Sequence, residues 1–230
     1  VLWVALRCNI PIFRALPSSI GARRASIYFR RRKIFDRPKD EDSAPPAKDR
    51  KDPDAPAATA SPDVRFRRPV AADGPAVTAL IAACPPLDRN SRYCNLLQCE
   101  HFADQCIIAE RAGRIVGWVS GYRPPSDAGA FFVWQVAVSA EGRGRRLASR
   151  MIAALLARPA QDGVTHMITT ITADNHASWG LFRGLARDWD AELDRSPLFE
   201  RETHFAGAHA TEYLARIGPF DRMKIDAEQG

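Results

Sequence analysis

Apolar positions along the chain follow two periods, and each change of period marks an element. Val77, Leu80 and Ile81 recur at helical spacing, with Pro75 just inside the start and Asp73 placed as the cap. Cys84-Pro85-Pro86 ends that helix. A polar turn, Leu87-Asp88-Arg89-Asn90-Ser91, leads to a second short helix over 92–102 with Tyr93, Leu96 and Leu97 on its buried side. A short first strand over 66–70 precedes both. Strand-like runs over 105–111 and 114–122 flank Ala112-Gly113, a hairpin turn, and a third strand covers 131–138 after the Pro124-Pro125 loop. The helical period returns as two rows, Leu147, Met151, Leu155 and Ala148, Ile152, Leu156. A strand over 164–171 follows, its alternation only partly apolar because His166 and Thr170 interrupt it. Asp174-Asn175 then opens a helix that turns Trp179, Phe182 and Leu185 inward. From 188 to 208 the signal is weak and reads as loop with one strand near 203–205, and 212–217 is the last strand. An antiparallel meander followed by alternating helices and strands predicts an α/β (α+β) domain with a mixed, mostly antiparallel central sheet flanked by helices.

Charge divides the chain. The whole carries a net charge of +6, but residues 1–63 alone hold 13 Lys and Arg against 8 Asp and Glu, leaving the rest nearly neutral. The basic balance therefore describes a leader over 1–63, ahead of a domain over 64–220 and a polar tail over 221–230. The leader is acid-free up to Phe35 and then rich in Asp, Lys, Pro and Ala, a composition that cannot bury enough apolar surface to fold alone. An unstructured extension, an organelle transit peptide and a basic arm for membrane or nucleic acid are all open readings of it. Five cysteines without a CxxC pair exclude a zinc ribbon or disulfide scaffold and fit reduced thiols in a cytoplasmic protein. No apolar run approaches the roughly 18 residues that span a bilayer.

The chemistry gathers at Gly142-Arg143-Gly144-Arg145-Arg146, between a strand and a helix start. Glycines allow close approach, free helix amides donate, and guanidinium groups add charge-assisted bonds, so this is a candidate polyphosphate cradle. A solvated turn remains the plain alternative. The spacing is neither GxxxxGK[ST] nor GxGxxG, which excludes a mononucleotide P-loop and a Rossmann turn.

With that loop in place, the order of elements resembles the GNAT acetyltransferase superfamily, whose [QR]xxGx[GA] loop holds the pyrophosphate of coenzyme A. Arg143 and Ala148 match the motif, and Arg146 stands where the motif has glycine. Within that superfamily PPLDRNSRYCNLLQCEHF, GWVSGYRPP, FFVWQVAV, TADNHASWGLF and HFAGAHATEYLARIGPF resemble the diaminobutyrate acetyltransferase family of ectoine synthesis. The resemblance covers about residues 65–220. It implies transfer of an acetyl group from acetyl-CoA to the γ-amine of L-2,4-diaminobutyrate by a homodimer. Cysteines without a paired His/Asp arrangement favour direct attack in a ternary complex, and the residue readings add a cytoplasmic protein without metal, membrane or nucleic-acid partners.

Individual residues take roles from that resemblance. Asp88 matches the substrate-binding acid, which suits an acceptor carrying two amines. Tyr93 either packs in the core or lines the pocket, and Trp134 matches an aromatic wall for the acceptor. His209 and Glu212 match a C-terminal pair closing over the substrate. Glu212, His209 and Tyr93 are the catalytic candidates, with the general base left open among them and water. Backbone amides at Val136 and Val138 would polarise the thioester carbonyl. Arg143, Gly144, Arg145, Arg146, Leu147 and Ala148 would hold the pyrophosphate. Asn175 and Ser178 would lie along the pantetheine and departing thiol, although helix capping alone explains Asn175. His204 and His209 lack a third ligand, so no metal site is expected. The competing readings are a GNAT enzyme for another small-molecule or peptide amine, and a silent CoA-sensing or nucleic-acid-binding module using the basic leader.

Overall fold

The computed structural model describes residues 64–85 and 87–227, so the leader over 1–63, Pro86 and the last three residues lie outside the description. Among the described residues seven strands form one sheet: β1 (Arg65–Arg67), β2 (Cys106–Arg111), β3 (Arg114–Tyr122), β4 (Ala130–Val138), β5 (His166–Thr172), β6 (Leu193–Phe199) and β7 (Glu212–Ile217). Their spatial order is β1-β2-β3-β4-β5-β7-β6. Every neighbouring pair is antiparallel except β4 with β5. The helices are α1 (Gly74–Ala82), α2 (Arg92–Glu100), α3 (Leu147–Leu156), α4 (His176–Asp188), α5 (Arg201–Phe205) and α6 (Arg222–Ala227). Among the described residues no helix is long and apolar enough to cross a membrane.

Alternation along the central strands divides their side chains between two apolar layers. Ile107, Ala109, Val119, Phe131 and Val133 join α3 and α4, where Met151, Leu155, Trp179 and Phe182 are buried. Ile108, Trp118 and Ala137 join α1 and the turns around it, with Val77, Ile81 and Leu87. The Ala112-Gly113 turn fixes the first hairpin, because both residues take the left-handed backbone (φ 50° and 72°) that a tight two-residue turn requires.

One irregularity shapes the middle of the sheet. Ser120 pairs with Gln135 and Gly121 with Val133, so Trp134 is an extra residue on β4 and the strand bulges there. The bulge resets the alternation: Val133 and then Val136, three residues on, both face the α3/α4 layer. Gly121 lies opposite and could be no other residue without adjustment, since a Cβ there would stand 2.4 Å from both the Phe131 ring and the Phe132 carbonyl oxygen. Next to the bulge β4 parts from β5. Their parallel pairing covers only Ala130–Phe132 against His166–Ile168, and Thr169 Oγ1 donates to the Val133 carbonyl at 2.9 Å as the strands separate.

Four expectations are corrected. Asp73 does not cap α1 through its side chain; its carboxylate is held by Arg67 at 2.7 and 2.8 Å and by the Val70 amide. The buried face of α2 is Asn95, Gln98 and Cys99, whereas Tyr93 is 69% exposed. Asn95 is drawn inward by its bond to Thr78 Oγ1 at 2.8 Å, so hydrogen bonding overrides the apolar stripe. The weak stretch after 188 contains β6, and residues 201–205 are helical. β6 is an edge strand exposed over most of its length, so it has no alternation to read and tolerates Pro197. Residues 222–227, expected to be a polar tail, form α6, with Ile225 buried against the α3/α4 layer.

Substituting Gly121→Ala should lower stability by about 1–3 kcal/mol, because the methyl meets a ring and a carbonyl that the bulge holds in place. Urea unfolding of the two proteins measures it, and an unchanged midpoint would show that the sheet yields freely at the bulge.

Candidate active site

Two cavities lie along the region where β4 and β5 separate, and they share no lining residue. The first, of about 270 Å³, is built by the β4–α3 loop. Val138, Arg143, Gly144, Arg146, Leu147 and Ala148 line it, together with Ser149 and, from α4, Leu181. Among the described residues no side chain caps the start of α3, so its first amides have no side-chain acceptor there and the positive end of the helix points to the loop. Amides, two lining arginines and a β-strand end suit a polyanionic ligand.

Arg146 explains the glycine of the motif. It takes the left-handed conformation (φ 53°, ψ 30°) that begins α3, a backbone that glycine adopts freely and that disfavours a side chain by about 1–2 kcal/mol. Its guanidinium is paired with Asp188 at the end of α4. The arginine is thus tied from the loop to the helix on the other side of the cleft. Arg145 lines a neighbouring cavity and not this one. Val136 is fully buried in the strand, with its side chain in the α3/α4 layer, so only its backbone can face the opening.

The second cavity, of about 320 Å³, brings together Asp88, Thr170, Thr172, Asp174, Asn175, His209 and Glu212. Register explains the meeting. Thr172 pairs with Glu212 across β5 and β7, and Thr170 lies two residues away on the same face. Asp88 arrives from the turn after α1. That turn is fixed by Gln135, a fully buried residue just past the bulge, which donates to the Asp88 carbonyl at 2.9 Å and accepts from Asn90 at 2.7 Å. Asn175 accepts from the Ser178 amide at 3.1 Å, and Ser178 is fully buried in the first turn of α4. Capping is therefore their evident local role, while Asn175 also faces the cavity.

Glu212 is the electrostatic centre. It is 4% exposed, and one of its carboxylate oxygens is buried without a hydrogen bond of good geometry, the Thr170 hydroxyl being the polar group beside the carboxylate. Burial raises its pKa from 4.5 to about 7; Thr170 opposes the shift, and Asp88 and Asp174 add to it. His209 Nδ1 donates to the Ala210 carbonyl at 2.7 Å, since a carbonyl can only accept. Its Nε2 therefore points toward Glu212 Oε1, 3.8 Å away, too far for a direct hydrogen bond. Asp174 is held below the usual carboxylate range mainly by the Thr172 hydroxyl at 2.6 Å. Three carboxylates in one cavity, one of them carrying the unsatisfied buried oxygen, have the charge and acceptor atoms that suit a cationic ligand.

Tyr93 is not brought to this cavity, and neither is Trp134. Trp134 sits at the bulge, edge-on to Tyr122 with centroids 6.4 Å apart. Residues that sequence reasoning missed are Thr170, Thr172, Asp174 and Gln135. The polar interruptions of the 164–171 strand carried a signal for the first. Cys84, Cys99 and Cys106 are buried and unpaired, and among the described residues no group of three His, Cys, Asp or Glu side chains could hold a metal ion.

A sheet that parts beside a bulge, with an amide-and-arginine loop at the opening, defines a GNAT-type acetyltransferase, and the Acetyltransferase (GNAT) family matches residues 75–186. The L-2,4-diaminobutyric acid acetyltransferase of Methylotuvimicrobium alcaliphilum is 47% identical over 166 residues, covering 72% of this chain and 96% of that one. The enzyme of the same name from Halomonas elongata is 45% identical over 161 residues, covering 70% and 83%. The solved diaminobutyrate acetyltransferase EctA of Paenibacillus lautus, in complex with L-2,4-diaminobutyric acid and coenzyme A, superposes with a TM-score of 0.66 at 38% identity. That match covers 70% of this chain and 97% of the other. The chain belongs to the L-2,4-diaminobutyric acid acetyltransferase family of the GNAT acetyltransferases.

Two stability measurements follow from the site. Arg146→Gly should be more stable than Arg146→Ala by about 1 kcal/mol, because both lose the Asp188 pair but only alanine keeps the left-handed strain. Equal stabilities in urea would mean the backbone relaxes there. Separately, a folded-state pKa raised above the unfolded one makes the folded chain hold more protons between pH 4.5 and about 7, so Glu212 withdraws stability as pH rises through that window. The difference in unfolding free energy between the wild type and Glu212→Gln should shift by about 3 kcal/mol across it, in favour of the variant at high pH. A pH-independent difference would place the titration elsewhere.

Proposed function

We propose that the chain transfers the acetyl group of acetyl-CoA to the γ-amine of L-2,4-diaminobutyrate, giving N4-acetyl-L-2,4-diaminobutyrate, by direct attack with both substrates bound. The observation that carries this is the pair of cavities of opposite character at one strand opening. The amide-and-arginine cavity suits a polyphosphate donor, and the carboxylate cavity suits a cationic acceptor. Names of relatives sharing nearly half their residues supply the acceptor's identity.

In this reading the loop amides and Arg143 hold the pyrophosphate. The thioester lies where β4 has left β5, with backbone donors near Val136 and Val138 stabilising the oxyanion, typically by about 3 kcal/mol per donor. Asp88 and Asp174 hold the acceptor's ammonium groups. Those charges favour the protonated amine, so the amine becomes a nucleophile only as its proton leaves. Glu212, with a pKa of about 7, is the base that accepts it. His209 orients the pair through its fixed tautomer. The amine nitrogen bonds to the carbonyl carbon, the carbon–sulfur bond breaks, and the departing thiolate takes up the nitrogen's second proton and leaves as the coenzyme's free thiol. Trp134 stays at the bulge, outside the acceptor cavity, and Tyr93, on the solvent side of α2, has no part in the chemistry. The family resemblance supports a place in ectoine synthesis, a cytoplasmic location and a homodimer.

Glu212→Gln should lower kcat by about 10²–10⁴-fold and remove the rise of kcat/KM through pH 7. Asp88→Ala should raise the KM for diaminobutyrate while leaving that for acetyl-CoA nearly unchanged, and Arg143→Ala should do the reverse. A panel with ornithine, lysine and a peptide N-terminus decides the acceptor. Faster turnover of any of these than of diaminobutyrate would overturn the assignment.

A further inference from the structure

The arginines of the β4–α3 loop border two cavities, and the acetyl-transfer reading uses one. The other, of about 360 Å³, lies next to it and shares Gly142, Arg143 and Leu147 with the first. Arg111 at the end of β2, Arg145 in the loop and Arg150 in α3 join Arg143, so four guanidinium groups line it. The single carboxylate in the lining, Glu141, is already engaged: it bonds Arg114, which does not line the cavity, at 2.8 Å, and stands 3.9 Å from Arg111. Arg143 and Arg145 have no ion-pair partner among the described residues. Arg150 is held over the Phe66 ring at 5.4 Å, a contact that fixes its position without neutralising it.

Four cations sharing one compensated carboxylate repel one another, and a multiply charged anion removes that repulsion. Guanidinium forks match the oxygens of a phosphate, two at a time. The shared loop residues place this cavity beside the α3 amides, so one molecule carrying both a pyrophosphate and a separate phosphate can reach both places. We propose that the arginine cavity is a phosphomonoester site and that its occupant is the 3′-phosphate of coenzyme A. This rests on the reading that acetyl-CoA occupies the β4–α3 loop. Arg111 and Arg150, which lie outside the loop motif, then become determinants of donor selectivity.

The test compares acetyl-CoA with 3′-dephospho-acetyl-CoA as donors for the full-length protein, alongside Arg150→Gln and Arg111→Gln, with thermal melts to establish folding. Removing the phosphate should raise the wild-type KM by about tenfold, and the ratio of the two KM values should fall toward one in each variant. Because Arg111 also donates to the Glu141 carbonyl, Arg150→Gln gives the decisive ratio if Arg111→Gln folds poorly. A second arm titrates inorganic phosphate against the melting temperature. Equal wild-type KM values with a saturable phosphate shift that Arg150→Gln abolishes would overturn the cofactor as occupant and support free phosphate. Equal KM values without such a shift would overturn the site. A wild type that uses neither donor would refute the cofactor loop reading instead, and the phosphate titration would still judge the cavity.

Discussion

The parting of β4 from β5 is the constraint on which the rest of the site depends. A parallel pair normally continues its ladder to the end of the shorter strand, and stopping it leaves backbone groups without partners. Here the Trp134 bulge re-aims β4 just as pairing ends, and Thr169 spans the point of departure with its hydroxyl. Gly121 makes the bulge possible by removing the only atom that would collide with it. Beyond that point β4 leads to the loop that begins α3, while β5 leads to Thr172 and the start of α4. One local irregularity therefore positions both halves of the site.

Electrostatics then distinguishes the halves. The loop side has helix amides and arginines, and the other cavity has Asp88, Asp174 and Glu212. Burial keeps Glu212 near the boundary of ionisation at neutral pH, where an exposed carboxylate would be charged.

Sequence was most informative where a local rule and the tertiary context agreed. The Ala112-Gly113 hairpin, both rows of α3, the Asn175-started α4 and β7 all stand where pattern placed them, because turn chemistry, period and burial point the same way. The bulge was hidden in FFVWQVAV, where the polar Gln135 is as buried as its apolar neighbours and so marks no solvent face whose displacement would reveal a shifted register. α2 inverted expectation because Asn95 and Gln98 are buried while Tyr93 is not. β6 was invisible because an exposed edge strand has no apolar period. Of the acceptor cavity, Asp88, His209 and Glu212 were legible through the family resemblance. Thr170 and Gln135 depend on cross-strand register and a long-range bond, which no local window contains. The departure at Arg146 was visible as a letter, but its meaning, a left-handed backbone tied to α4, required the fold.

That the two cavities share no lining residue bears on inhibition. A molecule that joins a group suited to the amide-and-arginine cavity to one suited to the carboxylate cavity would gain the effective concentration that linkage supplies, provided its linker spans the distance between them.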